Sequence, residues 1–237
     1  MNHLLLFPAD FTTDTHAILT GRRLVHLREI LGKSTGDSVK AGLFGGLRGT
    51  AVIESIDDEK AVLTSKFDAA PPPRLPMTLV IAMQRPKTLR KILHCAASLG
   101  VEKIFIIRSW RVEKSYFSNP ILTEEGIREA LVSGMEQSLD TIPPRVESRM
   151  RFRPFVEDEL PAIIRDTTAL VAHPYADSKC PSQIDTPVTL ALGPEGGFIP
   201  FEIALLTSLG FAPVTIGERI LRTENALPWL AGRLSVI

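Results

Sequence analysis

Two apolar runs, each cut off by a glycine-bearing loop, constrain this chain more than anything else in it. Residues 188–192 end in Gly193-Pro194-Glu195-Gly196-Gly197, and residues 211–216 end in Gly217-Glu218-Arg219-Ile220-Leu221-Arg222-Thr223-Glu224-Asn225. The intervening residues 200–209 are amphipathic, so the order reads strand, loop, helix, strand, loop. Glycine permits positive φ and lets main-chain N–H groups approach a ligand with no Cβ in the way. Loops at the carboxyl ends of strands are where open α/β sheets bind small molecules, and two so close in sequence can close on one pocket. The spacing fits neither G-x-G-x-x-G nor a P-loop. A plain strand-to-helix turn is the blander reading of the same residues.

The clearest boundary is Ala69-Ala70-Pro71-Pro72-Pro73-Arg74-Leu75-Pro76. Consecutive prolines cannot feed a central ladder and favour a stiff connection. Before it, residues 4–7, 39–43, 50–56 and 60–67 read as short strands, the last two joined by an Asp57-Asp58 turn. A helix over 22–31 places Leu24, Leu27 and Leu31 on one stripe, with Gly32 as its cap. A small β-barrel with one helix follows. After the prolines, strands at 78–83, 101–107, 169–172, 188–192 and 214–216 alternate with helices at 88–99, 121–138 and 200–209. A last helix runs toward Ile237, capped by Asn225 or Thr223; Pro228 is tolerable only in its first turn, which favours Asn225. Such alternation predicts a parallel α/β sheet.

Apolar content of 44% is ample for a core. Formal charge is zero, so overall charge announces no nucleic-acid binder. Distribution says more, because residues 84–114 hold eight Lys/Arg against two Glu. That excess fits phosphate binding at one surface, with Arg85 as a candidate RNA contact, or an ordinary solvated helix face. Two cysteines, Cys95 and Cys180, are too few for a disulfide framework or a zinc site, and no metal site is expected. No apolar run is long enough to cross a bilayer and no signal-peptide layout is visible, so a cytoplasmic protein is expected.

GPEGG followed by Glu202-Ile203, and then IGERILRTEN, resembles the paired carboxyl-terminal signatures of the RsmE family. Further matches are Leu99-Gly100-Val101, Glu136-Gln137-Ser138, and His26 with Ile30-Leu31, so the resemblance spans most of the chain. The family consists of SPOUT-class methyltransferases that use S-adenosyl-L-methionine to modify N3 of a uridine in 16S ribosomal RNA. The resemblance implies a PUA-like RNA-binding β-barrel over residues 1–72. It then implies an α/β SPOUT-like methyltransferase domain with a trefoil knot over residues 73–237. A homodimer acting on the small ribosomal subunit is implied as well.

Carried onto this sequence, the family's cofactor contacts fall on Ala172, His173, Gly193, Pro194, Gly196, Ile216, Gly217, Leu221, Arg222 and Thr223. Arg222 would stabilise charge developing on the uracil oxygens, Glu224 would accept the N3 proton or orient Arg222, and Glu195 competes for either role. The bland alternatives are that Glu195 favours a helix start, that Arg222 and Glu224 are an ion pair, and that His173 is structural. Arg22, Arg23, His26 and Arg28 would face RNA, or the arginines would merely solubilise a helix. The chain departs from the family pattern at Gly32, Ser98, Asp140 and Asn225; an acidic group at 140 near an active site would bear on the RNA target. Two rival readings are therefore a SPOUT methyltransferase with another RNA substrate and a non-catalytic RNA-binding or ribosome-assembly factor.

Overall fold

The computed structural model describes residues 3–235 and divides into two compact units. The first comprises the chain up to Pro73 together with Val132–Pro143; the second comprises Arg74–Leu131 and the chain from Pro144 onward. Residues 132–143, which the sequence partition assigns to the carboxyl-terminal part, thus cluster with the first unit.

The first unit is a curled five-stranded sheet. Its strands are β1 (Leu4–Leu6), β2 (His16–Leu19), β3 (Ser38–Leu43), β4 (Arg48–Ile56) and β5 (Ala61–Ala69), in the order β1-β3-β4-β5-β2. Pairing is antiparallel except between β1 and β3. Alternation along β4 and β5 sends Ala51, Ile53, Ala61 and Leu63 inward to meet Leu4, Leu6, Leu19 and Leu27. The Asp57 turn forms as expected, its carboxylate accepting from the backbone N–H groups of Glu59 (2.8 Å) and Lys60 (2.9 Å).

The helix of this unit corrects one expectation. It runs as α1 (Gly21–Val25) and then widens into a π turn, His26–Ile30. The extra residue per turn moves Leu31 off the stripe: Leu24 and Leu27 are buried, whereas Leu31 is 41% exposed. Gly32 closes the helix at φ +59, the left-handed conformation that favours glycine.

Residues 71–74 lie outside regular structure, and the second unit begins with β6 (Leu75–Ala82). There follow α2 (Pro86–Ser98), β7 (Val101–Ile107), α3 (Glu124–Ser138), whose residues from Val132 on belong to the first unit, and β8 (Arg145–Arg149). A helical segment then passes from α4 (Phe152–Pro154) through a π turn into α5 (Leu160–Ile164). The remaining elements are β9 (Thr168–Ala172), β10 (Val188–Leu192), α6 (Pro200–Ser208), β11 (Ala212–Val214) and α7 (Thr223–Leu234). The sheet is six-stranded and wholly parallel, in the order β11-β9-β10-β6-β7-β8. Strands covered on both faces carry near-continuous apolar runs, and every residue of β10 is buried, Thr189 included. Phe105 and Phe155, with ring centroids 5.1 Å apart, anchor the layer between sheet and helices. Each such ring contributes roughly 1.5–3 kcal/mol by burial.

Two expectations at the carboxyl end need correction. The last strand spans Ala212–Val214 and not 214–216. The last helix starts at Thr223 with Arg222 at its cap position, so Asn225 is not the cap and Pro228 lies inside the helix. The carbonyl of Arg222 already accepts from the N–H groups of Asn225 and Ala226, both at 2.9 Å, which fixes the helix start upstream of the asparagine. The expected run toward Ile237 extends outside the described residues.

From β11 at the sheet edge the chain crosses the carboxyl ends of β9 and β10 and enters α7, which packs on α2. The loop after β9 is bonded to the start of this crossing and to the last residues of α7. Cys180 N–H donates to Thr215 O at 2.8 Å, while Gln183 N–H and Ile184 N–H donate to Arg233 O and Leu234 O. The family resemblance places its trefoil at this crossing.

Candidate active site

A cavity of about 580 Å³ opens where β9, β10 and β11 end. Its wall is built from the loops that leave the carboxyl ends of these three strands, after Ala172, Leu192 and Val214. Ala172, His173, Gly193, Pro194, Glu195, Gly196, Ile216, Gly217, Leu221, Arg222, Thr223 and Glu224 all line it, as does Arg85. The two glycine loops and the residues inferred for catalysis therefore share one concavity within the second unit.

The loops are held by specific bonds. Gln84, fully buried, donates through Nε2 to the carbonyls of Ala82 (2.8 Å) and Gly193 (2.9 Å), tying the end of β6 to the end of β10. Gly197 N–H donates to Pro194 O at 2.8 Å, with Gly197 at φ +71. A Cβ on Gly193 would stand 3.0 Å from Phe198 N, and one on Gly196 would stand 3.2 Å from Arg111 Cδ. Gly217 sits at φ +125, and Thr215 Oγ1 pins it by accepting from its N–H (3.3 Å). The floor is apolar, from Leu192, Phe198, Val214, Ile216 and Leu230.

The ionisable groups have distinct situations. Glu195 Oε1 accepts from the backbone N–H of Arg85 at 2.9 Å, so its carboxylate caps the start of α2. The bland reading of Glu195 as a helix-start carboxylate thus has a structural basis, although the helix is α2 and not the one that follows the loop. Glu224 lies in the first turn of α7, only 16% exposed, with Lys91 Nζ 3.9 Å from its carboxylate. Arg222 is exposed at the cavity wall. His173 meets Tyr175 edge-on, with centroids 5.9 Å apart.

The other inferred RNA contacts lie in the first unit and differ in freedom. Arg23 clamps both oxygens of Asp10 at 2.6 Å, donates to Leu5 O at 3.0 Å and is 18% exposed, so its guanidinium is spent on the fold. Arg22 is 66% exposed and donates to the buried Glu136 at 3.2 Å. Burial pushes the Glu136 carboxyl up, an effect that Arg22 partly opposes. Arg28 pairs with the exposed Asp58, and His26 is half-buried. Asp140, expected near the active site, is 3% exposed in the first unit and accepts from the N–H groups of Thr141 (2.7 Å) and Ile142 (3.0 Å). It does not line the cavity.

Sequence reasoning missed Gln84, Thr88, Arg111 and Tyr175. Arg111 lies in the basic run, but periodicity does not tell which of those cations turns toward the glycine loops. Among the described residues no cluster of His, Cys, Asp and Glu could hold a metal ion, and no helix is long and apolar enough to cross a membrane.

Comparison with known proteins places these observations in a family. Residues 71–235 match the family described as RNA methyltransferase domain. The ribosomal RNA small subunit methyltransferase E of Treponema pallidum is 29% identical over 94% of this chain and 87% of its own length. A Borreliella burgdorferi relative, ribosomal RNA small subunit methyltransferase E 1, is 26% identical over 95% of this chain and 94% of its own. Among solved structures, the Neisseria gonorrhoeae ribosomal RNA small subunit methyltransferase E bound to S-adenosyl methionine superimposes with a TM-score of 0.73 at 24% identity. It covers 98% of this chain and 95% of that one. A Legionella pneumophila structure solved with the same cofactor gives 0.72 at 22% identity, covering 97% and 96%.

Proposed function

Because the chain belongs to the RNA methyltransferase domain family, within its RsmE branch, we propose that it transfers a methyl group from S-adenosyl-L-methionine to N3 of a uridine in 16S ribosomal RNA. The observation that carries this reading is the single cavity built from both glycine loops. Its volume suits a small-molecule site, and its walls offer main-chain groups, an apolar floor and places where a Cβ would intrude. In this reading Ala172, His173, Gly193, Pro194, Gly196, Ile216, Gly217 and Leu221 to Thr223 hold the cofactor.

When bound, S-adenosylmethionine supplies an electrophilic methyl group activated by the adjoining sulfonium. The chain's part is to place a nucleophile in line and exclude water. Neutral uridine N3 carries a proton and is a poor nucleophile, so that proton must leave as the N3–C bond forms. Arg222 places fixed positive charge where the uracil oxygens gain negative charge. Glu224, at the cavity wall with Lys91 Nζ 3.9 Å from its carboxylate, accepts the N3 proton, whereas the carboxylate of Glu195 already serves the start of α2. Residues 1–72 act as the RNA-binding domain and residues 73–237 as the transferase. The working form is a cytoplasmic homodimer, as the family resemblance implies, and sedimentation of the purified protein checks its stoichiometry.

The cofactor site is tested by calorimetric titration with S-adenosylmethionine. Wild-type protein binds it, and Gly196→Val abolishes detectable binding while preserving the circular dichroism of the fold. Equal affinity in the two proteins places the cofactor elsewhere.

A further inference from the structure

The loop after β7 presents a side chain for which the cavity and its chemistry have no use. Ser109 and Val112 are buried, yet Trp110 between them is 79% exposed. Lone exposed apolar residues are common on proteins. This one is held out by a built support. The backbone N–H of Trp110 donates at 2.8 Å to Oε1 of Glu202, which is 2% exposed, and Oε2 of the same carboxylate accepts from Ile199 N–H at 2.9 Å. Arg108 N–H donates to Arg149 O at 3.0 Å, fixing the other end of the loop. The next residue, Arg111, turns into the cavity wall and donates to Gly196 O at 2.6 Å. The backbone beneath an exposed indole is therefore fixed on both sides, with Arg108 and Arg111 flanking it in sequence, one residue outside the proposed methyl-transfer site.

Indole faces with adjacent guanidinium groups are the chemistry that holds unpaired nucleobases, the ring by stacking and the cations by contact with phosphate. We propose that Trp110 is a specificity-determining platform that stacks an unpaired nucleobase next to the methylated nucleotide. The proposal rests on the RNA methyltransferase reading and extends it, because it requires the target to enter as a single strand. Trp110 does not line the cavity, so it orients the flanking nucleotide and takes no part in methyl transfer.

The chain has two tryptophans, so Trp229→Phe leaves Trp110 as the sole reporter. Titration of that variant with decauridylate quenches its emission, and a blunt RNA duplex of equal length does not. With unmethylated small ribosomal subunits as substrate, Trp110→Ala raises KM for RNA roughly 5- to 150-fold, the range set by one stacked base. The variant leaves kcat and cofactor affinity little changed, and Trp110→Phe recovers most of the loss. The salt dependence of binding stays the same, since an aromatic contact releases no counterions. Emission indifferent to decauridylate, equal quenching by duplex, or an unchanged KM in an active Trp110→Ala protein overturns the proposal. So does a loss of oligomer in that variant, which would assign the indole to a contact between copies. If wild-type protein methylates no RNA, the enzymatic reading fails, and the quenching comparison alone decides the platform.

Discussion

Arg222 and Glu195 both line the cavity, but their bonds set different expectations. Arg222 is exposed at the wall; its main chain is proposed to border the cofactor, and its side chain to act only at the charge-developing step. Arg222→Ala should therefore lower kcat roughly 10²- to 10³-fold while cofactor affinity holds. Glu195 caps α2, and an amide oxygen can accept the same N–H. Glu195→Gln should retain most activity, whereas Glu195→Ala should cost about 1 kcal/mol of stability in denaturant titration. A loss in Glu195→Gln as deep as that in Arg222→Ala would reassign the proton acceptor. At this scale the sequence was legible where glycine meets a backbone or steric demand: positive φ at Gly217, and no room for a Cβ at Gly193 and Gly196. It was opaque where a side chain chooses among partners. Nothing in the order of residues says that Arg23 is consumed by Asp10, that Gln84 ties two strand ends, or that Asp140 caps its own turn.

Elements became legible in proportion to their burial. The fully buried β10 reads directly as an apolar run. The edge strand β8 reads Arg-Val-Glu-Ser-Arg and escapes notice, because its charges are satisfied laterally: Glu147 pairs with Lys103 (3.0 Å) and Arg149 (2.6 Å). These hydrogen bonds hold the Glu147 carboxyl below its usual range. The helical segment from Phe152 to Ile164 is disguised by Pro154, Pro161 and a π turn that breaks the 3.6-residue period. In the first unit, His3 packs against β3, where a Cβ on Gly42 would stand 2.6 Å from its Nε2. Burial, reinforced by Arg48 and Lys40 against the opposing pull of Asp140, lowers its pKa to about 4. A lowered folded-state pKa gives stability that is complete above the unfolded value near 6.5 and is lost as pH falls toward 4. The loss amounts to up to about 3 kcal/mol. Glu136, with its raised pKa, has the opposite sign above its ordinary value of 4.5. The informative quantity is thus the difference between wild type and His3→Gln in urea titrations from pH 7 to pH 4. It should shrink as the pH falls, and a constant difference would show that His3 does not titrate as described.

For the molecule as a whole, zero formal charge makes RNA affinity depend on a few placed cations. Arg22 and Arg28 have exposed guanidinium groups, while Arg23 is locked in its pair with Asp10. Removing both Arg22 and Arg28 should flatten the log–log salt dependence of single-stranded RNA binding by about 1.4, at roughly 0.7 per phosphate contact. Arg23→Ala should instead lower stability by about 3 kcal/mol, the cost of breaking a largely buried pair. An unaltered salt slope in the double variant would remove this helix from the RNA interface. The parallel sheet of the second unit was open to sequence reasoning because apolar periodicity acts locally. The clustering of residues 132–143 with the first unit was not, since it depends on contacts between distant parts of the chain. The central claim is tested most directly by labelled methyl transfer from S-adenosylmethionine to unmethylated small ribosomal subunits, followed by nucleoside digestion. Label recovered as N3-methyluridine in 16S ribosomal RNA is the predicted result. Label at another atom or in another RNA, or none from a protein that binds the cofactor, would contradict it.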